Sequence, residues 1–200
     1  MNRRKQAITD AAIKIFSAEG YKGATMDEIA LEAKVAKGTL YYNFNSKEEI
    51  FNYIINIGVN HLRELIRDNK DSDLNPILKL KNICKIQLLY FYENKSFVKV
   101  ILSQLWGTDQ RQSNLRDIVK EYINDIKIII DEAIECNMVK NSDSLVLAHA
   151  FFGSFTSIAL YNVLNTDKEN LNTVIDTTLE FTLRGLGLQI DRNDYSENYV

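Results

Sequence analysis

Val35-Ala36-Lys37-Gly38-Thr39-Leu40-Tyr41-Tyr42-Asn43-Phe44-Asn45-Ser46-Lys47-Glu48-Glu49-Ile50 holds the start of two helices. Lys37–Phe44 reads as a helix of about two turns whose buried side is Leu40 and Phe44, at i and i+4. Ser46-Lys47-Glu48-Glu49 then reads as a capping box that opens a longer helix. Its apolar series Ile50, Ile54, Ile57, His61 and Leu65 runs on to about residue 68. A two-turn helix is unstable alone in water, so neighbours must hold it. Upstream, residues 3–19 place Ile8, Ala11, Ala12, Ile15 and Phe16 on one helical face, and Gly20 is a natural stop. Thr25-Met26-Asp27-Glu28 is a second capping box, opening a helix over 26–33, and Lys34-Val35-Ala36 is the turn that follows. Three short helices with a tight turn before the third form a helix-turn-helix, whose last helix enters the DNA major groove.

Downstream, Asp68–Asn75 breaks the pattern and Pro76 suits the first turn of a new helix. Helical stretches follow at 76–93, 96–108, 112–137 and 143–164. Thr166-Asp167-Lys168-Glu169 caps a last helix that reaches Arg184, Gly185 and Gly187 end it, and the remainder is a loose acidic tail. One proline and eight glycines in 200 residues argue against an all-β design. The expected fold is therefore all-α: a helix-turn-helix domain at 1–47, a larger helical bundle at 48–188 joined to it by the connecting helix 46–68, and a flexible tail at 189–200.

The formal net charge of −3 divides unevenly. Residues 1–47 carry eight Lys/Arg against five Asp/Glu, or +3, and the rest carries −6. The positive excess lies where a DNA partner needs it. No unbroken run of about 18 apolar residues and no signal-peptide pattern is present, so the expected location is the cytoplasm, without a membrane partner. Cys84 and Cys136 sit in apolar helical patterns without metal-ligand spacing and read as buried free thiols.

The string 35–50 closely resembles the recognition-helix signature of the tetracycline-repressor (TetR) family. The resemblance extends over about residues 5–51 and includes the patterns Phe16-x-x-x-Gly20-Tyr21 and Thr25-x-x-x-Ile29-Ala30. It implies a homodimeric, ligand-released transcriptional repressor that binds double-stranded DNA at a pseudo-palindromic operator. The expected DNA-binding residues are Thr25, Ala36, Lys37, Gly38, Thr39, Tyr41, Tyr42, Asn43 and Lys47. Gly38 and Thr39 suit close approach to base edges, and the threonine methyl suits a thymine methyl. Lys37 can reach a phosphate or guanine, and a tyrosine hydroxyl a phosphate oxygen. Lys47, a cation in the first turn of a helix, calls for an anionic partner. Thr25 brings a hydroxyl and a helix N-terminus to a second phosphate. The sequence departs from the family in three places: Lys34 stands where glycine is usual, Ala36 removes a capping hydroxyl, and Asn43 replaces a frequent histidine.

The larger domain offers only His61 and His149, no metal-ligand spacing and no catalytic constellation, so neither an enzyme nor a cofactor is expected. It is rich in large apolar residues, of which Phe91, Leu102, Leu105, Trp106, Phe152 and Phe155 are the expected lining of a ligand cavity. Gln104, Arg111 and Gln112 beside them read as solvated surface. Ser103–Arg116 resembles the corresponding stretch of TetR-family regulators of fatty-acid metabolism that respond to acyl-coenzyme A, which nominates a small apolar ligand with fatty acyl-CoA as first candidate. Helix 143–164, with Ala148, Gly153, Ser154 and Ser157, and the stripe Leu171, Ile175, Leu179, Leu183 are the expected four-helix dimer interface. A ligand-free DNA-binding protein and a lipid or acyl carrier remain the alternatives on sequence alone.

Overall fold

The computed structural model describes residues 3–70, 74–140, 142–165 and 170–187. They form α1 (Arg3–Gly23), α2 (Met26–Glu32), α3 (Lys37–Asn43), α4 (Lys47–Lys70), α5 (Pro76–Glu93), α6 (Lys95–Gln104), α7 (Gln110–Glu135), α8 (Ser144–Leu164) and α9 (Leu171–Gly185). No strand occurs among the described residues, so the all-α expectation holds. The chain folds as two compact units: Met1–His61 with Asn94–Lys120, and Leu62–Glu93 with Glu121–Val200. Packing thus draws its boundary through α4 and α7 and groups α6 with the helix-turn-helix.

In the first unit, α1 packs against α2 and α6. Ile8, Ala12, Phe16, Ile29, Leu40, Phe44, Ile50 and Phe51 are buried together. Phe16, Tyr21 and Phe51 form an aromatic trio with ring centroids 5.5–6.3 Å apart. Gly20, the expected stop, adopts φ 74° inside α1, breaking the helix one turn before its end. The backbone of Gly58 on α4 lies so close to Phe97 of α6 that a Cβ there would stand 2.0 Å from the ring. Absence of a side chain at residue 58 is what seats α6.

α6 stops at Gln104, earlier than the 96–108 reading, because the next residues form a loop with Gly107 at φ 129°. Gln112 and Arg116 build that loop. Gln112 Nε2 donates to the Trp106 carbonyl at 2.8 Å, and Arg116 donates to the Gly107 carbonyl at 2.8 Å. Trp106 consequently points outward, 82% exposed.

In the second unit, α5 packs on α8 and α9. Arg63 staples α4 to α7, donating to Asp125 at 2.8 Å and Glu121 at 2.6 Å, and those carboxylates hold its pKa above the usual guanidinium value. The α9 residues Ile175, Leu179 and Leu183 are buried within the chain's own unit. That stripe is therefore already used and is not the free face expected of it. Among the described apolar residues, those that stay outward include Leu145, Val146, Leu160 and Leu164 on α8 and Phe181 on α9. By length and composition α8 is also apolar enough to cross a bilayer, with little of it buried within the chain. Isolated polar residues such as His149 and Ser154 interrupt the run that sequence reading looked for. Asn170, through its side chain, caps α9; the expected cap at 166–169 and the tail at 189–200 lie outside the described residues. Both cysteines are free, but only Cys84 is buried; Cys136 is exposed at the turn after α7, where Asn137 takes φ 56°.

Gly58→Ala should destabilise the chain by about 1–3 kcal/mol through overpacking, despite the roughly 1 kcal/mol that alanine gains over glycine in a helix. Urea denaturation checks this, and the loss should shrink when Phe97→Leu is combined with it.

Candidate DNA-binding surface

α3 is held by its buried side and not by its caps. Lys34 takes φ 55°, so the turn keeps its left-handed shape on a residue that resists it at a cost of about 1–2 kcal/mol. Ala36 supplies no side-chain bond to the N-terminus. Leu40 and Phe44 are almost completely buried, and Lys5 lies over the rings of Phe44 and Tyr53 at 4.9 and 4.0 Å. With those two anchors inward, the opposite face is free. Tyr42 is 89% exposed and Tyr41 50%, Gly38 has open space above its α-carbon, and Lys37 reaches outward to an exposed pair with Asp27 at 2.6 Å. Asn43 turns back, its Nδ2 donating to the Thr39 carbonyl at 2.7 Å.

Gly38, Thr39, Tyr42 and Asn43 line an open groove of about 320 Å³ whose remaining wall is Arg4. Sequence reading missed Arg4. Its only signal was the basic run Arg3-Arg4-Lys5, which says nothing of which helix it will lie beside.

Thr25 forms both halves of the expected capping box. Its Oγ1 accepts from the Glu28 amide at 3.2 Å, and Glu28 accepts from the Thr25 amide at 2.8 Å. The threonine hydroxyl also donates to the same carboxylate at 2.6 Å, and these bonds hold Glu28 below the usual carboxylate range. The box at Ser46 is only half formed. Ser46 Oγ accepts from the Glu49 amide, but the Glu49 carboxylate reaches back one residue further, to the Asn45 amide at 2.7 Å.

Lys47 differs most from its sequence reading. Its ammonium donates to the Tyr21 and Ala24 carbonyls, each at 2.7 Å, and lies 4.6 Å from the Tyr21 ring. The negative partner that a cation in the first turn of α4 needs is the carbonyl end of α1. Burial, with Arg111 nearby, pushes the Lys47 pKa down. Arg111 is itself a correction: it is buried, not solvated, its guanidinium 3.6 Å from the Tyr21 ring and 3.3 Å from Asp109. Gln112 is buried likewise. Tyr21 thus lies against two cations, one from α4 and one from α7, and burial raises its pKa despite Arg111.

The six expected cavity residues do not share one environment. Leu102, Leu105 and Trp106 belong to the first unit, with Leu102 and Leu105 half-buried; Phe91, Phe152 and Phe155 belong to the second, with only Phe155 fully buried. Trp106 faces outward because the Gln112 and Arg116 bonds fix its loop. No group of three metal-ligating side chains occurs among the described residues.

Residues 8–54 match the family model for bacterial regulatory proteins of the tetR family. The structure of a candidate fatty acid metabolism regulator from Clostridium perfringens is 45% identical, superimposes with a TM-score of 0.84, and aligns over 93% of this chain and 100% of its own. The fatty acid metabolism regulator protein of Bacillus subtilis is 28% identical over 90% of this chain and 93% of its own length. At 23% identity and a TM-score of 0.79, the fold is also that of the Bacillus subtilis regulator FadR solved with stearoyl-CoA, over 90% of this chain and 98% of that one.

Lys37 and Lys47 should separate on mutation. Lys37→Ala should flatten the dependence of log affinity for DNA on log salt by about one unit, because its exposed pair with Asp27 is weak and a phosphate competes with it. Lys47→Met should instead lower stability by about 1–2 kcal/mol through loss of its charged hydrogen bonds, with the salt slope nearly unchanged. Fluorescence anisotropy over a salt series, beside thermal melts, distinguishes the two.

Proposed function

The chain belongs to the TetR family of bacterial regulatory proteins and is a DNA-binding transcriptional regulator; we propose that it is a cytoplasmic homodimeric repressor released from its operator by a fatty acyl-CoA, and that it catalyses no reaction. The observation that carries the DNA reading is the outward face of α3, where an open glycine, a half-buried threonine and an almost fully exposed tyrosine share a groove with Arg4. A helix with Leu40 and Phe44 inward keeps Lys37, Gly38, Thr39, Tyr41 and Tyr42 for the major groove, with Asn43 steering from the rim and Arg4 on the backbone. Ala36 and Thr25 stand at the N-termini of α3 and α2, ends that favour a phosphate. Two turns of helix read too few base pairs for specificity, so two copies must bind together.

The second copy docks on α8 and α9. Leu164 and Phe181 are 71% and 70% exposed, and Gly153 and Ser157 on the outer face of α8 leave space for a close approach. Apolar surface of this kind on a water-soluble chain marks an interface. The acyl-CoA reading rests on the relatives that regulate fatty acid metabolism, on the stearoyl-CoA complex of a protein with this fold, and on the resemblance over Ser103–Arg116. α4 and α7 are each continuous from one unit into the other, so a ligand that prefers one arrangement of the second unit biases the first. The functional division of the chain, with DNA contact at 1–47 and ligand and partner at 48–188, is part of the same proposal.

Phe181→Glu should convert a dimer to a 23.0 kDa monomer by light scattering while leaving the helical content unchanged, and it should abolish operator binding. A monomeric wild-type chain that still binds DNA specifically would contradict the dimer. Palmitoyl-CoA titrated into the protein–operator complex should lower operator affinity at least tenfold. Unchanged affinity across a chain-length series would remove acyl groups and leave the repressor standing.

A further inference from the structure

The interior of the second unit contains polar atoms that no group among the described residues answers. Gln87 is buried on α5 with both its amide nitrogen and its amide oxygen unpartnered, and the Tyr122 hydroxyl on α7 is buried and unpartnered too. Buried polar groups in folded proteins are nearly always hydrogen-bonded, so each exception needs a reason. Position 87 makes the reason specific. It falls on the stripe Leu80, Ile83, Cys84, Gln87, Leu88, where leucine would pack without cost.

The two groups lie on helices joined by an ion pair. Lys79 on α5 donates to both carboxylate oxygens of Glu132 on α7 at 3.0 Å, and further along the same pair of helices the Cys84 thiol lies close enough to Tyr122 to oppose its ionisation. The helices therefore run in opposite directions. From that ion pair, Gln87 lies eight residues or about 12 Å along α5, and Tyr122 ten residues or about 15 Å back along α7. They stand at nearly one level. Phe152 of α8 meets the Tyr122 ring edge-on at 5.7 Å, which fixes the direction of the hydroxyl, and Ile83, Leu88, Ile126 and Phe155 of the same unit are buried. A third unpartnered oxygen, Thr182 Oγ1, lies on α9.

We propose that Gln87 and Tyr122 form the polar recognition pair of an interior ligand site, holding the neutral carbonyl of a fatty acyl thioester while the apolar side chains around them take the hydrocarbon. The inference rests on the acyl-CoA reading above. Tyr122 supplies an O–H donor and Gln87 an N–H donor to the thioester oxygen, and Gln87 Oε1 remains to accept from the amide N–H that follows the thioester in coenzyme A. A free fatty acid suits the site less well. Its carboxylate would need a counter-charge, and Lys79, the one buried cation among the described residues of this unit, is already held by Glu132.

The test uses the full-length chain as wild type, Gln87→Leu and Tyr122→Phe, with calorimetric titration of palmitoyl-CoA and of palmitate and a thermal melt of each ligand-free protein. Tyr122→Phe removes a single unpartnered oxygen, so its fold is safe even where Gln87→Leu repacks. The expected result is that wild type binds palmitoyl-CoA at least tenfold more tightly than palmitate, that each variant binds palmitoyl-CoA at least tenfold more weakly, and that neither melts below wild type. Variants that bind palmitoyl-CoA as tightly as wild type overturn the pair and spare the acyl-CoA reading, as does palmitate binding equally well. A lower melting temperature in both variants also overturns it, since the polar groups would then have protein partners. Wild type that binds neither probe removes the acyl-CoA reading and the pair with it.

Discussion

A seven-residue helix cannot hold itself in water, and the DNA-reading function of this chain depends on how α3 is held. Two side chains do it. Leu40 and Phe44 are inserted into a core made by α1, α2 and the start of α4, and losing a phenylalanine of this kind costs about 3–5 kcal/mol. Because anchoring uses only those two positions, Gly38, Tyr41 and Tyr42 stay outward for a partner. The strained turn at Lys34 and the missing cap at Ala36 are tolerable for the same reason: the energy that keeps α3 in place comes from its buried side and not from its ends.

The same economy governs the junction of α1, α4 and α7. Lys47 closes the carbonyl end of α1, Arg111 lies over the Tyr21 ring, and Tyr21 is packed against Phe16 and Phe51. Two cations on one aromatic ring are electrostatically unfavourable unless the ring and the carbonyls are already in position. This arrangement makes the conformation of α1 sensitive to where α7 begins. The loop before α7 is fixed in turn by Gln112 and Arg116, which bond the Trp106 and Gly107 carbonyls.

Local signals were legible in the sequence. The Thr25–Glu28 box, the Gly20 break and the inward pair Leu40 and Phe44 are each set by residues within one or two turns of one another, and short-range chemistry determines them. Long-range partners were not legible. Lys47 finds carbonyls more than twenty residues away, and Arg111 finds a ring ninety residues away. Nothing in the spacing of a lysine or arginine announces such a partner, so solvent or phosphate was the natural reading. Trp106 was misplaced because aromatic content says how much a residue gains by burial and not whether its backbone lets it turn inward. The α9 stripe was correctly recognised as apolar, but an amphipathic pattern does not state which helix covers it.

The proposed reading head, α3, works in symmetric pairs. Its most direct measurement is hydroxyl-radical footprinting of the full-length chain on DNA selected from a random pool, with and without palmitoyl-CoA. The expected pattern is two protected half-sites related by a pseudo-dyad, with centres about 34–36 Å apart or a multiple of it, and loss of both together when the acyl-CoA is added. A single unpaired protected site, or protection without sequence preference, would contradict it.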